Sequence, residues 1–243
     1  MQQAYLTVQP DRIISGPEDK LSDQMHNSKK VIAIDGPAGA GKGTLARRLA
    51  TQFAFAHLDT GLLYRGVGMK LIVAGLDATD VVAASAAARA LQLQDLDHPG
   101  LRSDEAAVAA SKVATIAAVR QALLQFQRDF ATRPPNGAAG AVLDGRDIGT
   151  VVCPWAPIKL FVTAAVEIRA ARRVRELRQR GLQAIEERVL RDMQDRDARD
   201  SDRLASPLQP AADAFVIDTG TLDPDAVFDA AIMQIASNGG FGL

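Results

Sequence analysis

"VIAIDGPAGAGKGTLARRLATQF", Val31 to Phe53, is the stretch whose reading decides the fold. "VIAID" is a short apolar run rich in β-branched residues, the pattern of a parallel strand buried on both faces. "LARRLATQF" places its apolar residues at helical spacing. Between them "GPAGAGK" fits G-x-x-x-x-G-K, with Gly43 where Ser or Thr is usual and Thr44 next. Strand, glycine-rich turn and helix in that order open an α/β domain. The glycines let backbone N–H groups converge on phosphate oxygens, and the helix N-terminus adds its partial positive charge. Gly36, Pro37, Ala38, Gly39, Ala40, Gly41, Lys42, Gly43 and Thr44 are therefore the candidate cradle for a nucleoside triphosphate. Lys42 reaches the β- and γ-phosphates, and a hydroxyl near the loop's end, on Thr44, is available to Mg²⁺.

Working outward, further strands are expected at Phe55–Asp59, Ala141–Asp144, Ile158–Val162 and Ala214–Asp218. Helical segments separate them, so a parallel sheet covered by helices on both faces is the economical architecture. Asp80 to Arg120 is Ala-rich and helix-prone, with a turn at "DHPG" (Asp97–Gly100). Glu167 to Arg203 reads as one or two charged helices with Gly181 a break, and a last helix runs from about Pro224 to Ala236. Residues 1–28 lack sustained periodicity and hold Pro10, Gly16 and Pro17, so a disordered extension is expected ahead of one domain over 29–243.

Composition narrows the partners. A net charge of -1 gives no bulk attraction to nucleic acid or an anionic membrane. No apolar run approaches the ~18 residues of a membrane span. The one cysteine, Cys153, excludes an internal disulfide and, like Trp155, reads as a packing residue. His26, His57 and His98 have no metal-ligand spacing. The expectation is a cytoplasmic monomer.

A phosphate cradle leaves the reaction open. The N/T-K-x-D motif of a GTPase does not occur, whereas "AVLD", ending in Asp144, keeps a translocating ATPase in play. Two segments end strands with chemistry-bearing residues: "LDTGLLYRG" (Leu58–Gly66) and "VLDGRDIGTVV" (Val142–Val152). Ligands of parallel sheets bind outside the carboxyl ends of the strands, so both share a crevice with the cradle. Taken singly, Asp59 and Asp147 each also read as helix caps, Tyr64 as a half-buried core residue, Arg65 as a surface arginine and Ser111 as an ordinary helix residue. A third segment, "DRDARDSDR", puts Arg196, Arg199 and Arg203 at i, i+3 and i+7. That face is either a solvated one laced by Asp192–Arg196 and Asp195–Arg199 pairs or a clamp for phosphate. The basic run Arg169–Arg180 keeps RNA binding as a rival, and a nucleotide sensor without turnover is another.

Six motifs, "IDGPAGAGKGTLA", "LDTGLLYR", "SKVA…VRQALL", "LDGRDIGTVV", "RDARDSDR" and "SPLQPAADAFVIDT", give the chain from about Val31 to Ala236 a close resemblance to the bacterial-type cytidylate kinases. The resemblance implies the P-loop nucleoside monophosphate kinase fold, with a five-stranded parallel sheet, an acceptor-binding insert over about 76–118 and a helical lid over about 182–206. It implies transfer of phosphate from ATP to CMP or dCMP with Mg²⁺; a kinase of this fold for UMP, AMP or a non-nucleotide is the nearest alternative. Carried over by residue, it puts Thr60, Tyr64 and Arg65 along the acceptor, with Arg65 and Arg146 at its phosphate. Ser111, Arg120 and Asp147 then face the cytosine, and Asp200 the ribose. Asp144 orients water around Mg²⁺, Arg196 and Arg203 reach phosphates or acceptor, and Arg199 faces ATP. A carboxylate at 147 suits cytosine, whose exocyclic amine uracil lacks. The chain departs from the family where its insert shrinks to "LQLQDLDHPG", without strand-like alternation, so the insert is expected to be short and helical.

Overall fold

The computed structural model describes residues 30–202 and 206–241. The extension expected over 1–28, and Arg203, lie outside the described residues. Five parallel strands form one sheet: β1 (Val31–Asp35), β2 (Ala56–Asp59), β3 (Ala141–Gly145), β4 (Ile158–Thr163) and β5 (Phe215–Asp218), in the order β2-β3-β1-β4-β5. Each expected strand is present to within a residue or two at its ends.

Helices α1 (Lys42–Phe53) and α8 (Pro224–Ser237) cover one face. The other carries α2 (Thr60–Val73), α3 (Val81–Arg89), α4 (Asp104–Val113) and α5 (Ala117–Thr132). Helices α6 (Val166–Gln179) and α7 (Glu186–Ser201) form a paired arm beside the phosphate loop. The period of two along β1 explains why a continuous apolar run is needed. Val31 and Ala33 enter the core under α2 and α5, while Ile32 and Ile34 enter the core under α1 and α8. All five residues of β1 are buried, as are all five of β3.

Local chemistry sets the ends of these elements. Helix α1 begins at Gly41, at φ 97°, with no side chain capping its first amides. Helix α2 begins at Asp59, whose carboxylate accepts from the Gly61 amide at 3.0 Å, so the capping reading of Asp59 holds. Gly36, between β1 and the loop, sits at φ 142°, and a Cβ there would lie 1.9 Å from the Val162 carbonyl oxygen. No larger residue fits this close approach of the loop to β4. Residues 76–118 contain helices and 3-10 turns and no strand, as the composition of "LQLQDLDHPG" led one to expect. Gly181, at φ 74°, ends the first arm helix where the break was expected. Among the described residues no single helix is long and apolar enough to cross a membrane.

Of the expected arginine face, Arg196 and Arg199 lie on α7, which runs to Ser201, and Arg203 lies outside the described residues. One expectation needs correction. Arg199 does not pair with the Asp195 carboxylate; its Nε donates to the Asp195 backbone carbonyl at 3.0 Å.

Candidate functional site

The carboxyl ends of β1, β2 and β3 bring together Asp35, Asp59 and Asp144, with Lys42 opposite on the first turn of α1. Lys42 is buried, and its Nζ donates to the Pro37 carbonyl at 2.7 Å. Burial pushes this ammonium well below the usual lysine range, and the charges of Arg146 and then Arg196 push it the same way. Two cations crowded on a third in one crevice are a site built for polyanions. The helix dipole at Gly41 and its uncapped amides point in the same direction.

Asp144 is the penultimate residue of β3, and His57 on β2 donates from Nε2 to its Oδ1 at 2.8 Å. Thr60 is buried and spends its hydroxyl on the Asp144 backbone carbonyl, 2.8 Å away, which ties the start of α2 to β3. A side chain at Gly43 would lie 3.7 Å from Asp144 Oδ2, so this carboxylate faces the end of the loop, where Thr44 is exposed and accepts from Arg47 at 3.5 Å. Oxygen donors at a loop built for phosphate fit a hard cation such as Mg²⁺. Burial, with the Asp144 charge second, raises the pKa of Asp59.

On the acceptor side, Arg120 Nη2 donates to Asp147 Oδ2 at 3.0 Å. The Asp147 side chain makes no helix cap; it meets Arg120, one of the two residues expected beside it. Arg146 Nε donates to Asp200 on α7 at 2.8 Å, a pair in which Asp200 is almost fully buried. Arg199 reaches across the crevice and donates from Nη1 to Ser111 on α4 at 3.4 Å. Arg65 Nη1 donates to the carbonyls of Leu101 and Ser103 at 2.8 and 3.2 Å, so it fastens the insert to α2. Tyr64 is half-buried against the core under α2.

Three residues here were not singled out from the sequence. Asp35, 3 % exposed, accepts from the amides of Ile148 and Gly149, both at 2.7 Å. Arg128 donates from Nε to the Val152 carbonyl at 3.0 Å and from Nη2 to that of Val151 at 2.9 Å. Arg169, the first residue of the basic run Arg169–Arg180, points inward: it donates to the carbonyls of Ala164 and Ala38 and, at 2.6 Å, to Asp197 Oδ2. Arg172 likewise turns to Thr219. The signal that exposes Asp35 is an acid closing an otherwise apolar, doubly buried strand. Cys153 is buried, and burial pushes its thiol up to about 12, which leaves it an inert packing group.

The carboxyl of Asp35 is raised from 3.8 to about 6, because burial outweighs its two amide bonds. The folded chain thus holds this proton more tightly than the unfolded one, and its contribution to stability falls as pH rises through that window. The loss is about 3 kcal/mol. Urea unfolding of the parent and of Asp35→Asn should show the parent's relative stability dropping by about this amount from pH 4 to pH 7. A difference independent of pH would show that Asp35 titrates normally.

A glycine-rich phosphate loop on a five-stranded parallel sheet of order β2-β3-β1-β4-β5, with acids at the strand ends and an arginine-bearing arm across them, defines a P-loop kinase of the nucleoside monophosphate kinase fold. A structure of an uncharacterized protein from Eubacterium ventriosum shares the fold, with a TM-score of 0.50 at 18 % identity, covering 86 % of this chain and 99 % of that one. The sequence model of the cytidylate kinase family matches residues 32–237, and the chain belongs to that family. It is 63 % identical over 207 residues to the cytidylate kinase of Paramagnetospirillum magneticum, covering 85 % of this chain and 98 % of that protein. The cytidylate kinase of Rhodospirillum rubrum is 60 % identical over 206 residues, covering 85 % and 97 %.

Proposed function

We propose that this protein transfers the γ-phosphoryl group of ATP to CMP or dCMP, giving ADP and CDP or dCDP. An oxygen of the acceptor phosphate bonds to the γ-phosphorus as its bond to the β–γ bridging oxygen breaks, and that electron pair leaves with ADP. Positioning and charge neutralisation carry such a transfer, and no covalent intermediate on the protein is needed.

Gly36 to Thr44 cradle the donor phosphates, and Lys42 exchanges its bond to the Pro37 carbonyl for phosphate oxygens. Arg196 adds charge at the transferred group, a role supported by its electrostatic reach to Lys42, and Arg199 and Arg203 complete the arm. Residues 182–206 act as the lid and 76–118 as the acceptor cover. Thr44 and, through water, Asp144 would hold Mg²⁺, which would neutralise charge on the donor's phosphates. Arg65 and Arg146 meet the acceptor phosphate, Thr60 and Tyr64 line it, and Asp200 takes the ribose. The same reading makes the protein a cytoplasmic monomer without nucleic-acid or membrane partners.

The Arg120–Asp147 pair carries the choice of base. Asp147 accepts from the exocyclic amine of cytosine, and Arg120 and Ser111 answer the ring's acceptors. Uracil presents a carbonyl where that amine stands, so the carboxylate keeps Arg120 but loses the donor that cytosine supplies and meets an acceptor instead. Coupled ADP-release assays with CMP, dCMP, UMP and AMP test this. Asp147→Ala should lower kcat/KM for CMP by about 10–100-fold while changing UMP turnover little. Absence of turnover with both CMP and dCMP in the parent would overturn the proposal.

A further inference from the structure

The turn Ile148–Val152 follows the two residues that face the acceptor, Arg146 and Asp147, and it is π-helical. The Val152 amide donates to the Asp147 carbonyl at 3.0 Å and the Cys153 amide to that of Ile148 at 2.7 Å. π-helical turns are rare and are found frequently at functional sites. So short an element also has first amides and last carbonyls with no partner inside it. Here both ends are answered by oppositely charged side chains. The Asp35 carboxylate takes the amides of Ile148 and Gly149, and the Arg128 guanidinium takes the carbonyls of Val151 and Val152.

The two caps come from elements that cannot shift independently. Asp35 ends the central strand, paired on both sides by β3 and β4. Arg128 stands on α5, two turns beyond Arg120, or about 12 Å along the axis. One rigid helix therefore grips the turn twice, with Arg120 on Asp147 at its start and Arg128 on the carbonyls at its end. Arg128 is itself steadied by Trp155, whose ring centroid lies 5.8 Å from the guanidinium carbon.

We propose that Asp35 and Arg128 are positioning residues for acceptor recognition: by capping the two ends of the turn Ile148–Val152 they hold Asp147 where it meets Arg120 and the pyrimidine. This rests on the reading of Asp147 as the base-recognising residue. Neither cap touches the acceptor, so each acts through the turn, and displacing a recognition group by a fraction of an ångström to an ångström lowers efficiency steeply.

The test combines kinetics with hydrogen exchange on the full chain. Arg128→Met keeps the side chain's bulk and removes its donors. It should raise KM for CMP about tenfold and lower the CMP-to-UMP preference about tenfold, with KM for ATP within about threefold of the parent. Exchange of the amides in 148–153 should quicken about tenfold while β1 stays protected. Arg128→Lys, which keeps a charged donor, should recover part of each effect, and Asp35→Asn should reproduce them from the other end. Adding Arg128→Met to Asp147→Ala should lower the preference no further, because both act on the same contact. Unchanged exchange, or quickened exchange with CMP kinetics within twofold of the parent, would overturn the positioning role. If Asp147→Ala itself leaves the CMP-to-UMP preference intact, the base reading fails instead, and with it the proposal's endpoint; unchanged exchange in Arg128→Met separates the first failure from the second.

Discussion

Lys42→Ala should lower kcat for CMP phosphorylation by about 10³-fold, with cooperative unfolding retained. The size follows from the site. Lys42 is buried, its pKa is depressed by burial and by the charges of Arg146 and Arg196, and its ammonium is held on the loop by the Pro37 carbonyl. A charge so poorly solvated interacts strongly with an incoming phosphate, because little water must be displaced to reach it. Charge on the transferred phosphoryl group is redistributed in the transition state, so most of the loss should fall on kcat and less on KM for ATP. Single-turnover quench-flow with saturating ATP and CMP measures the step directly. A loss confined to KM would place Lys42 in ground-state binding only.

Arg169→Met should destabilise the fold by about 3 kcal/mol, or roughly 6–12 °C in Tm for a chain of this size. Arg169 is 4 % exposed and holds three groups at once: the Ala164 carbonyl after β4, the Ala38 carbonyl in the phosphate loop and the Asp197 carboxylate on α7. Its removal leaves Asp197 partly buried and unpaired, with Oδ1 already buried without a hydrogen-bond partner. Breaking one side of such a pair is costly, whereas replacing both sides by apolar groups is close to neutral. The double variant Arg169→Met, Asp197→Leu should therefore regain most of the loss in urea unfolding. If the two losses simply add, the pair is not the source of the effect.

Much of this architecture was legible in the residues because its cues are local. Each strand is a short, largely apolar run, four of the five end on Asp or Gly, and Gly181 marks the break between the arm helices by needing positive φ. Lys42 stood out because its motif belongs to phosphate chemistry, Arg146 and Asp147 because they follow a strand end, and Arg120 through the family resemblance. Asp35, Arg128 and Arg169 escaped for a common reason. Each binds backbone amides or carbonyls of a segment distant in sequence, 113 residues away for Asp35 and Ile148 and 131 for Arg169 and Ala38. A backbone partner leaves no residue-type signature, so nothing at Ile148 or Ala38 announces the side chain that meets it.

The strand order also governs how the chain comes off the ribosome. The central strand β1 is synthesised first, yet its neighbours β3 and β4 begin 110 and 127 residues later, at Ala141 and Ile158. At about 5–20 residues per second, a strand that is apolar on both faces waits roughly 5–25 s for its first hydrogen-bonding partner. During that interval "VIAI" is an unpaired, uncharged β-segment of the kind that chaperones shield and that aggregates when they do not. The phosphate loop inherits the delay, since Gly36 is shaped by β4 and Asp35 finds its amides only after β3. The nucleotide cradle is thus written early in the chain and completed late in its folding.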